Sequence, residues 1–160
     1  MTKNVWPLQR DAVAFYGNPF SAGFEAKNIV YIQCPWNLQH SNKSQIAVNK
    51  RCADSLKRVL GNIWDAAGRS QQTISGFRYD IFDGSFVVRN KRGGNSLSMH
   101  ALGAALDWDA KDNQQHSQSH FFNHQSLITI KFLEEGWIWG GDWSSGSIDA
   151  MHYQAARVHP

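Results

Sequence analysis

Ser98-Met-His100-Ala-Leu-Gly103-Ala-Ala-Leu-Asp107-Trp108 sets a histidine and an aspartate seven positions apart, with a glycine between them. On a helix, residues seven apart stand about 10.5 Å apart along the axis, too far to meet, and seven is the wrong parity for one strand face, so the chain must turn before it extends. Gly103 permits the turn, and Ala101, Ala104 and Ala105 allow the backbone to approach its surroundings closely. The spacing therefore predicts a tight turn followed by a buried strand, Ala104–Trp108, from which Asp107 emerges beside His100. A second pair, Asp149-x-x-His152, follows. Residues three apart on a flat strand face opposite ways, so Asp149 is expected in the loop or bulge that enters the strand carrying His152.

Two neutral imidazoles and one carboxylate form a donor set for zinc that leaves one position open for water. The residual charge on such an ion lowers the pKa of bound water to about 7. His100, Asp107 and His152 are the candidate ligands for one Zn2+ per chain, and Asp149 is the candidate for taking the water's proton. These residues point to a zinc hydrolase.

The 160 residues suit a single domain spanning 1–160. With 42% hydrophobic and 18% charged residues, a packed core is expected and global disorder is not. The net charge of +3 favours an anionic partner. The chain has no dense Lys/Arg run and no aromatic-basic motif, so nucleic acid is not the expected partner. Cys34 and Cys52 are in no C-x-x-C pair and are expected to be buried, reduced thiols. The N-terminal MTKNVWPLQRDAVAFYGNP has no apolar secretory stretch, and no run approaches the ~20 apolar residues of a membrane span. The expectation is synthesis in the cytosol, without membrane insertion, as a monomer.

Residues 1–40 read as loop-rich around a short strand at Asn28–Gln33. Cys52, Leu56, Val59, Leu60, Ile63, Trp64 and Ala67 form an apolar stripe, predicting a helix over Gln45–Ala67 that stops at Gly68. Phe77–Phe82 and Ser85–Arg89 read as two strands joined by an Asp83-Gly84 turn, and 90–95 as a basic loop. A second helix is predicted over Asn123–Glu135, ending at Gly136. The last strands are predicted at Trp137–Trp139 and Ile148–Tyr153. Helices and strands do not alternate, so the expected class is α+β, an antiparallel sheet flanked by helices.

SLSMHALGAALD resembles the SxHxxGxAxD signature of the zinc D-Ala-D-Ala carboxypeptidase (VanY-type) family, and IDAMHYQ resembles its second element, an acidic residue three before a histidine. GWIWGGDW is similar to the box preceding that element in phage endolysins that act as L-alanyl-D-glutamate endopeptidases. The resemblance implies a hedgehog/DD-peptidase-like fold and a peptidoglycan substrate. It carries zinc ligation onto His100, Asp107 and His152, and the catalytic base onto Asp149, where many relatives have Glu. It also implies an upstream arginine that steadies developing negative charge. Arg89 is the first choice and Arg92 the second, the latter also as a substrate contact. Ser98 is read as a substrate contact, as a hydrogen-bond support to the metal ligands or as a turn residue. Trp139, Asp142 and Trp143 are read as core packing or as cleft wall. The function implied is hydrolysis of a stem-peptide amide bond, L-Ala–D-Glu first and D-Ala–D-Ala second. A non-catalytic wall-binding phage structural protein is the rival reading.

His116, His120 and His124 recur every four residues, which on a helix would place them on one face. Their segment is polar and amide-rich, so a solvated connector is preferred to a second metal site, with one histidine reaching the cleft. H-E-x-x-H, H-x-H, G-x-S-x-G and the P-loop are all missing.

Overall fold

Ile29–Gln33 (β1) and Gln45–Asn49 (β2) pair antiparallel, Ile29 opposite Asn49 and Gln33 opposite Gln45. This computed structural model describes residues 3–91 and 93–160. Two short helices, Ala12–Tyr16 (α1) and Phe24–Asn28 (α2), precede the pair. The predicted long helix is therefore split. Gln45–Asn49 alternates in burial, with Ile46 and Val48 facing inward, and the helix proper is Ala53–Ala66 (α3). The misreading has a physical source. Ile46 and Val48 suit a two-residue period, and the helical stripe begins only at Cys52. Leu56, Val59, Leu60 and Ile63 are fully buried, each stabilising the fold by about 1.5–3 kcal/mol relative to exposure. Gly68 (φ 69°) closes the helix: its N–H reaches the Asp65 carbonyl and that of Arg69 reaches Trp64.

The segment predicted as two strands folds differently. Gln71–Gly76 is a helix (α4), capped by the Ser70 side chain accepting from the Thr73 N–H. Residues 77–80 then form a turn in which Arg78 is left-handed (φ 67°) and Tyr79 N–H bonds to Ile74. Only Phe82–Gly84 (β3) is strand, so Asp83-Gly84 lies within the strand at a bulge and is not a hairpin turn. Ser85–Arg89 joins no sheet. Val87 and Val88 are exposed, and the segment is held by backbone bonds from Val87 N–H to His100 and from Ser98 N–H to Arg89.

The remaining elements are Ala105–Trp108 (β4), Leu127–Glu134 (α5), Ile138–Trp139 (β5) and His152–Gln154 (β6). The main sheet has the order β3-β4-β6-β5, antiparallel throughout. The α+β class with antiparallel sheets is thus as expected. Trp36, Trp108 and Phe82 fill the core, with Trp36–Trp108 ring centroids at 6.2 Å and Phe82–Trp108 at 4.8 Å. α3 packs on α5, where Trp137 Nε1 donates to Ser55 Oγ at 2.9 Å. Cys34 and Cys52 are buried and unbridged. No helix among the described residues is long and apolar enough to cross a membrane.

Candidate metal centre

A 3-10 turn, Met99–Leu102, delivers His100, and Gly103 (φ 69°) redirects the chain into β4. Gly103 is fixed for two reasons. Its backbone lies where an L residue is strained, and a Cβ would come within 2.8 Å of the Asn49 nitrogen and 2.5 Å of Ile29 Cδ1. Asn49 fastens this turn from below. Its N–H donates to the Gly103 carbonyl at 2.8 Å, and its side-chain amide donates to Leu102 at 2.9 Å and to Tyr16 at 3.1 Å. Asp107 on β4 sits directly opposite His152 on β6. One donor atom from each of His100, Asp107 and His152 lies within 4.8 Å of the other two, so the three residues converge.

The donor set fits a tetrahedral metal. Bonds of 2.0–2.1 Å at tetrahedral angles separate neighbouring donors by about 3.3 Å. Here each imidazole meets a different Asp107 oxygen near that spacing, His100 Nε2 at 3.2 Å from Oδ2 and His152 Nδ1 at 3.0 Å from Oδ1, and single donors from the three residues lie within 4.8 Å of one another. The tautomers also fit. His100 Nδ1 faces the Ser85 carbonyl at 2.6 Å and must carry a hydrogen, so Nε2, the nitrogen turned to Asp107, is the one left for a metal. The Gln154 amide is oriented by its Nε2 donating to the Ala156 carbonyl at 2.8 Å. Its Oε1 therefore faces His152 Nε2 at 2.9 Å, which carries a hydrogen, so Nδ1, bonded to Asp107 at 3.0 Å, is the nitrogen a metal would take. Outer contacts of this kind fix ring orientation at metal sites.

The electrostatics are those of a buried mixed cluster. Burial pushes the Asp107 carboxyl up, but the hydrogen bonds to His100 and His152 outweigh it and hold the group well below the usual carboxylate range. Burial lowers His152, and the Asp107 carboxylate more than reverses that, so its net shift is upward. Asp149 is pushed up to about 6, chiefly by burial, against the lowering effect of nearby His152.

Asp149 lies in the turn entering β6, as the spacing required, with its N–H on the Gly140 carbonyl and its own carbonyl accepting from His152 N–H. Its Oδ1 is buried and has no hydrogen-bond partner among the described residues. The three converging residues, Asp149, Arg89 and Ser98 line one cleft of about 1000 Å³. Arg89 is half-buried, and its guanidinium donates to the Asn90 carbonyl at 3.1 Å. Ser98 is buried, and its Oγ accepts from the His100 N–H at 3.3 Å, the turn-stabilising arrangement. Arg92 lies outside the described residues. Asp142 and Trp143 are cleft wall, the latter's ring 5.4 Å from that of His152, whereas Trp139 is buried.

The histidine series lies on irregular chain, not on a helix face. His116 reaches the cleft, its N–H on Ile148 at 2.7 Å and Nδ1 on the Gly146 carbonyl at 3.1 Å. His124 meets Asp142 at 2.6 Å, and His120 faces the Phe122 carbonyl. The sequence reading missed Gln154 and the Ser85 carbonyl. Gln154 had a signal, since it lies two residues after His152 and so on the same strand face. A backbone carbonyl has none.

Residues 92–155 match the model of a family described as D-alanyl-D-alanine carboxypeptidase, a stretch that includes His100, Asp107, Asp149 and His152. No curated protein and no solved structure matches the chain.

Proposed function

We propose that this chain is a zinc-dependent peptidoglycan peptidase that hydrolyses an amide bond of the stem peptide. The observation that carries the reading is the convergence of His100, Asp107 and His152, each imidazole with one ring nitrogen turned to Asp107, beside Asp149 in the same cleft. It is supported by the family match over the same residues.

His100 Nε2, His152 Nδ1 and the Asp107 carboxylate would hold the ion, whose Lewis acidity polarises a scissile carbonyl and makes water a nucleophile near neutral pH. Asp107 offsets part of the ion's charge. Asp149 accepts a proton from the attacking water and returns it to the leaving amine nitrogen, a general base and then a general acid. Half-burial of its carboxyl suits this exchange, because a desolvated carboxylate is a stronger base than an exposed one. Arg89 keeps guanidinium donors for negative charge developing on the carbonyl oxygen. Ser98 and Gly103 hold the turn that carries His100.

The bond is L-Ala–D-Glu, on the strength of the GWIWGGDW box and its likeness to phage endolysins. The description of the matching family favours a second reading, release of the terminal D-Ala. The protein is made in the cytoplasm and acts on the wall after release or from a virion. Mass spectrometry of digested peptidoglycan tests all of this. New N-terminal D-Glu is the expected product. Free D-Ala instead would establish the carboxypeptidase, and intact wall from zinc-loaded protein would leave only the wall-binding role.

A further inference from the structure

We propose that Lys91, presented by Gln9, is the residue with which this cleft recognises a carboxylate on its substrate, as a specificity determinant separate from the metal centre. The inference rests on the peptidase reading above for the identity of the substrate.

Most charges lining the cleft already have an internal role. Asp83 accepts the Ala110 N–H at 2.7 Å, Asp142 pairs with His124, Asp107 lies between two imidazoles, and Asp149 stands beside them. Arg89 and Lys91 remain, and among the described residues neither is in an ion pair. The two differ in presentation. Arg89 bonds its neighbour's carbonyl, whereas Lys91 Nζ donates to Gln9 Oε1 at 2.6 Å across the chain. A neutral amide directs the ammonium without cancelling its charge, and two of its three hydrogens stay available. Both partners are anchored by backbone. Lys91 N–H bonds to Ser96 at 2.8 Å beside the Asn90–Leu97 bridge, and Gln9 N–H bonds to Arg157 at 2.9 Å.

Lys91 also stands at a boundary. The cleft and a second recess of about 410 Å³ share Gln9, Lys91, Met99 and Val158, and the recess adds the apolar walls of Leu8, Val13 and Leu97. An ammonium where a polar cleft meets an apolar recess suits a residue with a short alkyl portion and a free carboxylate. A stem peptide has such carboxylates near its scissile bonds. Gln9, Leu8, Val13 and Val158 all fall outside the stretch that matches the family model.

The test compares two synthetic stem peptides that differ only in a free carboxylate or a carboxamide beside the scissile bond. Binding is measured by calorimetry on zinc-loaded Asp149→Asn protein, so no turnover is needed, and KM and kcat are measured on the otherwise native protein. The expected result is a preference for the carboxylate that falls about tenfold in Lys91→Met, appears in KM more than in kcat, weakens with salt, and is retained in Lys91→Arg. A preference that survives in Lys91→Met overturns the inference, as does equal binding of the two peptides by Lys91-intact protein. If no peptide is cleaved but the Lys91-dependent preference appears in calorimetry, the hydrolase reading falls and the carboxylate subsite stands.

Discussion

Replacing Gln154 separates imidazole orientation from fold stability. The side chain is 2% exposed and makes two hydrogen bonds, accepting from His152 Nε2 at 2.9 Å and donating to the Ala156 carbonyl at 2.8 Å. Gln154→Leu removes both. The freed Ala156 carbonyl costs about 1–3 kcal/mol of stability in the metal-free protein. His152 loses the acceptor that keeps its hydrogen on Nε2, so the ring can carry it on Nδ1 instead, the atom facing Asp107. Loss of such an outer contact typically weakens metal affinity 10–100-fold, or about 1.4–2.7 kcal/mol. Gln154→Glu is the control, because it also loses the bond to Ala156 but keeps an oxygen acceptor for His152. Zinc affinity measured by competition with a chromophoric chelator should fall in the Leu variant and hold or rise in the Glu variant, while urea melts show similar destabilisation of both metal-free proteins. Equal zinc affinity in the two variants would refute the argument that Gln154 sets the tautomer.

Asp149→Asn should keep one equivalent of zinc and lose at least about 100-fold in peptide hydrolysis, checked by metal analysis beside a turnover assay. Gly103→Ala should destabilise the chain by on the order of 2–4 kcal/mol, from the left-handed backbone plus the contact with the Asn49 nitrogen, and should also weaken zinc binding because the turn sits between two ligands; a chemical melt and the same chelator competition measure both. Burial pushes the Cys34 and Cys52 thiols up to about 12. They should therefore resist a thiol reagent at pH 8 until the chain is unfolded. Since the folded values lie above the unfolded ones, their contribution to stability is complete below the ordinary thiol range and is lost as pH climbs toward 12, visible as a falling melting temperature.

The candidate site was legible where side chains carried the signal. His100, Asp107, Asp149 and His152 announce themselves by residue type and spacing, and the turn between the first two follows from Gly103 and its alanine neighbours. The fold was harder to read wherever one pattern admitted two periods. Ile46 and Val48 join the helical stripe that begins at Cys52 only if their alternation is ignored, and their pairing with Ile29–Gln33 is a long-range fact. Phe77–Phe82 alternates like a strand, yet Ser70 caps a helix just before it and Arg78 takes a left-handed turn. The tautomer of His100 depends on a main-chain oxygen at Ser85, and that of His152 on how Ala156 orients an amide. Neither can be read without the sheet register. Lys91 was grouped with a basic loop, because nothing local ties it to Gln9.

The facing of Asp107 and His152 across β4 and β6 ties metal capture to the order in which the polypeptide is completed. A slip of one residue between these strands would leave the two donors on opposite sides of the sheet, so only one alignment yields a competent centre. On the ribosome, His100 and Asp107 emerge well before the strand bearing His152. A chain truncated before that strand would offer an ion only two of its three donors. On the peptidase reading proposed above, hydrolytic capacity would switch on only when the C-terminal strand docks, and unfinished chains would be inert.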